Sequence, residues 1–161
     1  MIALIIQVTA FIAYTTYIYK RFGVLPSISE SWYHLRIPGL FTIFCIVIGF
    51  PMFFHSRGFN QAIALQVDYT FLFFLSMLLC FTGAATDFKQ SVAGKVHFIG
   101  AFTSILACLL GVWLQYGLLW APAGWLISII ALVLFVRNNR IWWAEILSFA
   151  WISAGLLTLY L

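Results

Sequence analysis

Six stretches of this chain have the length of a bilayer crossing: 1–19, 37–54, 67–85, 97–115, 119–136 and 141–161. Of the Asp, Glu, Lys and Arg residues they hold only Asp68 and Glu145. A hydrocarbon core is spanned by roughly 20 apolar residues. Lipid offers no partner to backbone N–H and C=O groups, so a span must satisfy them within itself, as a helix does. A water-soluble domain of 161 residues could not hide a sequence that is 65% hydrophobic, since much of a small domain's surface stays exposed. The expectation is an all-α polytopic membrane protein: one bundle over 1–161, with six transmembrane helices and the lipid bilayer as solvent.

The few charges choose an orientation. Lys20, Arg21 and Arg36 fall in the first loop, Lys89 and Lys95 in the third, and Arg137 and Arg140 in the fifth. The second loop has Arg57 and the fourth no cation. By the positive-inside rule, loops one, three and five face the cytoplasm and both termini lie outside. Tyr17, Tyr19, Trp142 and Trp143 then flank the inner interface, and Tyr69, Trp113, Tyr116, Trp120 and Tyr160 the outer one. Such aromatic belts are expected at both depths. No basic run precedes the first apolar stretch, so Met1–Tyr19 reads as a retained span and not as a cleaved leader. The scattered cations form no stripe that could follow a phosphate backbone, which argues against nucleic acid as a partner.

Pro51 is expected to kink the second span near its far end, and Pro122 to sit in the first turn of the fifth. Ser27 and Glu30 have the spacing of a capping box. Ile28, Trp32 and Leu35 share one side of a helix started there, so Ser27–Ile37 reads as a short amphipathic helix on the cytoplasmic membrane surface.

The stretch from Thr82 to Ala101 joins two spans with faces of small residues. Ser76, Cys80, Gly83, Ala84 and Asp87 lie at helical spacing on its upstream side, and His97, Gly100, Ala101, Ser104, Cys108 and Gly111 on its downstream side. Small residues let helix backbones approach closely in lipid. Cys45, Cys80 and Cys108 have neither disulfide-framework nor zinc-site spacing and read as small apolar fillers.

Ionisable groups at membrane depth are costly, and each is a functional candidate. Glu145 lies five residues past Arg140, about 7 Å into the last span. It is therefore expected either to be protonated or to face the bundle with a partner such as Lys95, His97, Arg137 or Arg140. Asp87, His97 and Glu145 share the inner side with Glu30, His34 and Lys95. Carboxylates with imidazoles suit a divalent metal, or acid–base work on a lipid-like substrate entering from the inner leaflet. A hydrogen-bond and ion-pair cluster tying helix ends together is the plainer reading of the same residues.

No cofactor is named by the sequence. A span-embedded lysine for a Schiff base is missing, as is a phosphate-binding glycine loop. Gln7 and Gln115, near the outer face, demand no partner. Ser76 and Ser104 are expected to bond their own helices. On the outer side Arg57 and Asp68 could pair.

The segments PSISESWY at Pro26–Tyr33 and KVHFIGA at Lys95–Ala101 resemble small multi-pass membrane proteins of bacteria and their phages. That resemblance implies an all-helical fold in a bacterial inner (cytoplasmic) membrane and roles for Ser27, Glu30 and His97, but no reaction. The expected function is non-enzymatic, through association with a second copy of the chain or with another membrane protein. The alternatives are a lipid-handling enzyme or a metal- or small-ligand-binding protein using Asp87, His97 and Glu145, and a small transporter.

Overall fold

In the computed structural model, residues 1–37, 39–60, 68–84 and 91–160 are described, with side chains at all of these except 51–60, 83, 84 and 91. Asp87 and Lys89 lie outside the described residues, as do the side chains of His55 and Arg57.

The described residues form helices and no strand. These are α1 (Ile2–Phe22), α2 (Ser31–His34), α3 (Gly39–Asn60), α4 (Thr70–Ala84), α5 (Ser91–Tyr116), α6 (Trp120–Phe135) and α7 (Arg140–Leu157). A 3₁₀ turn, Thr158–Tyr160, ends the chain. Three segments are long and apolar enough to cross a membrane: Ile2–Phe22, Val92–Tyr116 and Arg140–Tyr160. Gly39–Phe50, Thr70–Thr82 and Trp120–Phe135 are apolar but shorter.

Several boundaries depart from expectation. α3 continues through Pro51 to Asn60. α5 starts at Ser91, so His97 lies about 9 Å inside it and does not open it. Pro122 occupies the first turn of α6, where a missing N–H costs nothing.

Helix α1 packs on α3, α3 on α4, α4 on α5, α5 on α7, and α7 back on α1. These five close a ring, and α6 packs outside it against α7 and α5. The outward face of α6 carries Leu126, Ile127, Ile130, Val133 and Leu134, all exposed, which suits a lipid-facing surface.

The most extensive packing in the molecule is between α4 and α5, whose small-residue faces meet. A methyl group on Gly111 would come within 2.9 Å of the Phe73 ring, and Phe73 is fully buried. Ser76 and Ser104 do not bond their own helices. Each hydroxyl donates across to the other residue's carbonyl, both at 2.8 Å. In a medium without water this pair satisfies both hydroxyls.

The first loop is the larger correction. It holds one helical turn, Ser31–His34, and not an amphipathic helix over Ser27–Ile37. Half of the expected capping box forms, the Glu30 N–H donating to Ser27 Oγ at 3.1 Å. The segment does not lie flat on a membrane surface, because Ile28, Ser29, Ser31 and Leu35 are all buried. Tyr14 Oη and Ser31 Oγ, 2.7 Å apart, tie it to α1.

The loop also docks along the start of α7. The first N–H groups of a helix have no partner within it. Here the Trp142 N–H donates to the Pro26 carbonyl at 3.2 Å. Asn139, in the left-handed conformation at φ 54°, donates from Nδ2 to the Val24 carbonyl at 3.2 Å. Gly23, at φ 77°, turns the chain out of α1 towards this track.

Candidate functional site

The docked loop positions Glu145. The Ile28 N–H donates to Glu145 Oε2 at 2.5 Å, across 117 residues of sequence. Trp142 anchors the preceding turn and is 2% exposed. Glu145 thus bonds a backbone amide of the first loop, where the sequence pointed to Lys95, His97, Arg137 or Arg140.

Glu145 lines a partly enclosed cavity of about 150 Å³ at the centre of the five-helix ring. His97 of α5 lines the same cavity. The structure therefore brings these two expected residues to one space, on helices that pack together. Both are half-buried. A carboxyl has more acceptor positions than one N–H occupies, so Glu145 keeps hydrogen-bonding capacity towards the cavity.

The other expected residues lie elsewhere. His34 and Lys95 are exposed, and the Phe22 ring lies beside His34 with centroids 5.5 Å apart. Glu30 is half-buried in the loop. None of these three lines the cavity. Asp87 falls outside the described residues. Among the described residues no group of three or more His, Cys, Asp or Glu side chains is arranged to hold a metal ion.

Beyond Glu145 and His97 the wall is mixed. Ser29, Ser76, Ser104 and Ser148 contribute hydroxyls, and Gln7 of α1 reaches it from the opposite end of the bundle. Gln7 is 1% exposed, so it is an interior residue. Gln115 is buried as well, accepting from the Tyr69 N–H at 2.7 Å. The apolar wall includes Phe11 and Phe149, whose rings stack at 3.8 Å with an interplanar angle of 3°.

Cys45, Cys80 and Cys108 also line the cavity. Cys45 and Cys108 are buried and Cys80 is half-buried, all three with free thiols. Phe41, Phe44, Cys45, Ile48 and Gly49 recur at helical spacing on one face of α3, and all line the cavity. That spacing is visible in the sequence.

No family model, curated protein or solved structure matches this chain. Functional inference therefore rests on the cavity and its chemistry.

Proposed function

We propose that this protein is an integral membrane bundle that binds a small lipid-soluble molecule in its interior. The observation that carries the reading is the cavity at the centre of the ring, with Glu145 and His97 on its wall. Its size decides what class of ligand enters. Cavities near 150 Å³ take up a single six-membered ring, and a whole phospholipid is far larger. The ligand is a ring-sized compound with hydrogen-bonding groups, held between apolar walls and a few polar side chains, as small-molecule sites commonly are.

This choice favours the ligand-binding alternative over association with a second chain. The small-residue faces that motivated association are engaged within the chain, α4 against α5. A six-crossing topology with both termini outside remains part of the reading. Its support is the charge asymmetry of the loops and the apolar surface of α6, and the resemblance noted above is the support for a bacterial inner membrane.

The test is native mass spectrometry of the protein extracted from membranes, beside an Ala101→Leu variant that fills the cavity. The wild type is expected to carry a small organic molecule that the variant has lost, with the helical content of both equal. Equal ligand content in the two proteins, or none in either, removes the reading.

A further inference from the structure

Two side chains on the cavity wall keep hydrogen-bonding capacity that the protein does not use. Gln7 is 1% exposed and lines the cavity, yet its amide has no hydrogen-bond partner among the described residues. A buried amide left without partners is costly. Glu145 accepts from the Ile28 N–H through Oε2, and its Oε1 has no hydrogen-bond partner among the described residues. The serines of the wall, by contrast, are engaged. Ser76 and Ser104 bond each other. Ser148 donates to the Ala144 carbonyl at 2.7 Å and accepts from Trp125 Nε1 at 2.8 Å. Ser29 Oγ lies 2.8 Å from Ser27 Oγ.

Gln7 and Glu145 stand at opposite ends of the space. α1 and α7 run antiparallel, with Leu4 clustered with Ile152 and Leu156, and Ile18 with Trp142. The Phe11–Phe149 stack marks a common level on the two helices. Gln7 lies one turn to one side of that level and Glu145 one turn to the other, so the two are about 12 Å apart along the bundle. Aromatic rings, Phe11 and Phe149 with Phe41 and Phe44 of α3, line the cavity.

The Glu145 end sets the charge of the ligand. No Lys or Arg lines the cavity, and the Ile28 amide is neutral. A carboxylate away from water is stable only with a cation beside it. A ligand amine supplies that cation, and its N–H groups suit a carboxylate, which can only accept. At the far end the Gln7 amide both donates and accepts, which is the complement of a hydroxyl.

We propose that the cavity takes a lipid-soluble aromatic amine, with its ammonium paired to Glu145, its ring packed on the aromatic wall and a hydroxyl beyond the ring bonded to Gln7. This rests on the ligand-binding reading above and names the ligand's class.

The experiment uses the full chain in nanodiscs of zwitterionic lipid. Binding is measured by calorimetry at neutral pH, with empty nanodiscs subtracted. The probes are tyramine, which has both groups, para-ethylphenol, which lacks the amine, and phenethylamine, which lacks the hydroxyl. Tyramine is expected to bind about tenfold or more tightly than para-ethylphenol, as a hydrogen-bonded charge would give. Glu145→Gln keeps an acceptor for the Ile28 N–H and should abolish that preference, leaving para-ethylphenol bound as before. Gln7→Leu should weaken tyramine several-fold and leave phenethylamine unchanged. The comparison of probes on the wild type needs no variant to fold. Binding of para-ethylphenol as tight as that of tyramine, and lost in Ala101→Leu, overturns the amine and leaves the cavity reading standing. An amine preference that survives Glu145→Gln overturns the pairing with Glu145, and tyramine binding unchanged by Gln7→Leu overturns the hydroxyl contact. Binding of no probe, or equal binding to the wild type and Ala101→Leu, overturns the proposal and the cavity reading together.

Discussion

Ser76 and Ser104 lock α4 to α5 by exchanging hydrogen bonds, each hydroxyl donating to the other's backbone carbonyl at 2.8 Å. Their hydroxyl oxygens are 3.1 Å apart, and both residues are buried. Two helices can make this exchange only in one rotational phase and one axial register. The pair therefore fixes the face that α4 and α5 turn to the cavity.

Replacing either serine by alanine is expected to cost about 0.6–2 kcal/mol, the range for interhelical hydrogen bonds in membranes. The double variant should cost less than the sum of the singles, because the two bonds share both residues. Equilibrium unfolding in mixed detergent measures this, and strict additivity would show that the two bonds act independently.

Glu145 separates acceptor from charge. Glu145→Gln keeps an oxygen for the Ile28 N–H and is expected to hold the fold. Glu145→Ala leaves that N–H without its acceptor, at a cost of about 1–3 kcal/mol. Amide hydrogen exchange at Ile28 should speed up in the alanine variant and stay slow in the glutamine one.

Gly111→Ala tests how tightly α4 and α5 meet. Alanine ordinarily favours a helix over glycine by about 0.5–1 kcal/mol. Here the added methyl would lie 2.9 Å from the Phe73 ring, which is fully buried and has no room to turn. Overpacking of this kind costs about 1–3 kcal/mol, so a net loss of stability is expected in thermal unfolding. Phe73→Leu in the same background should recover part of it.

Asp68 carries a pH dependence. Its Oδ1 accepts from the Thr70 N–H at 2.8 Å and from the Thr70 hydroxyl, just before α4 begins. These bonds favour the charged form and hold the carboxyl below its ordinary value of 3.8. A carboxyl depressed in the folded state stabilises it above the unfolded value, and that contribution is lost as the pH falls through the folded one. A small fall in stability is expected below about pH 4, and Asp68→Asn should flatten it. A titration unchanged by the substitution would assign the acid loss to another group.

The helical segments were legible because their cause is local. Apolar runs of bilayer length, broken by short polar segments, leave the backbone little choice but to satisfy itself as helix, and 97–115 and 119–136 fall within two residues of α5 and α6 at three of their four ends. The exception is the start of α5, where Val92, Gly94 and Lys95 look like loop residues and lie in helix. Small-residue spacing likewise pointed to the faces by which α4 and α5 meet. The first loop was misread because Ile28 and Leu35, apolar enough for a membrane surface, are buried by the protein itself.

Residue order alone is enough to specify an apolar helical chain with segments long enough to cross a membrane, and to single out Glu145 and His97 as candidates. It took the packed helices to bring Glu145 to the Ile28 amide, and to leave a ring-sized space between the helices around it. The difference is one of range. Hydrophobicity and backbone hydrogen bonding act within a few residues, whereas a contact between helices depends on how each is rotated against neighbours far away in the chain.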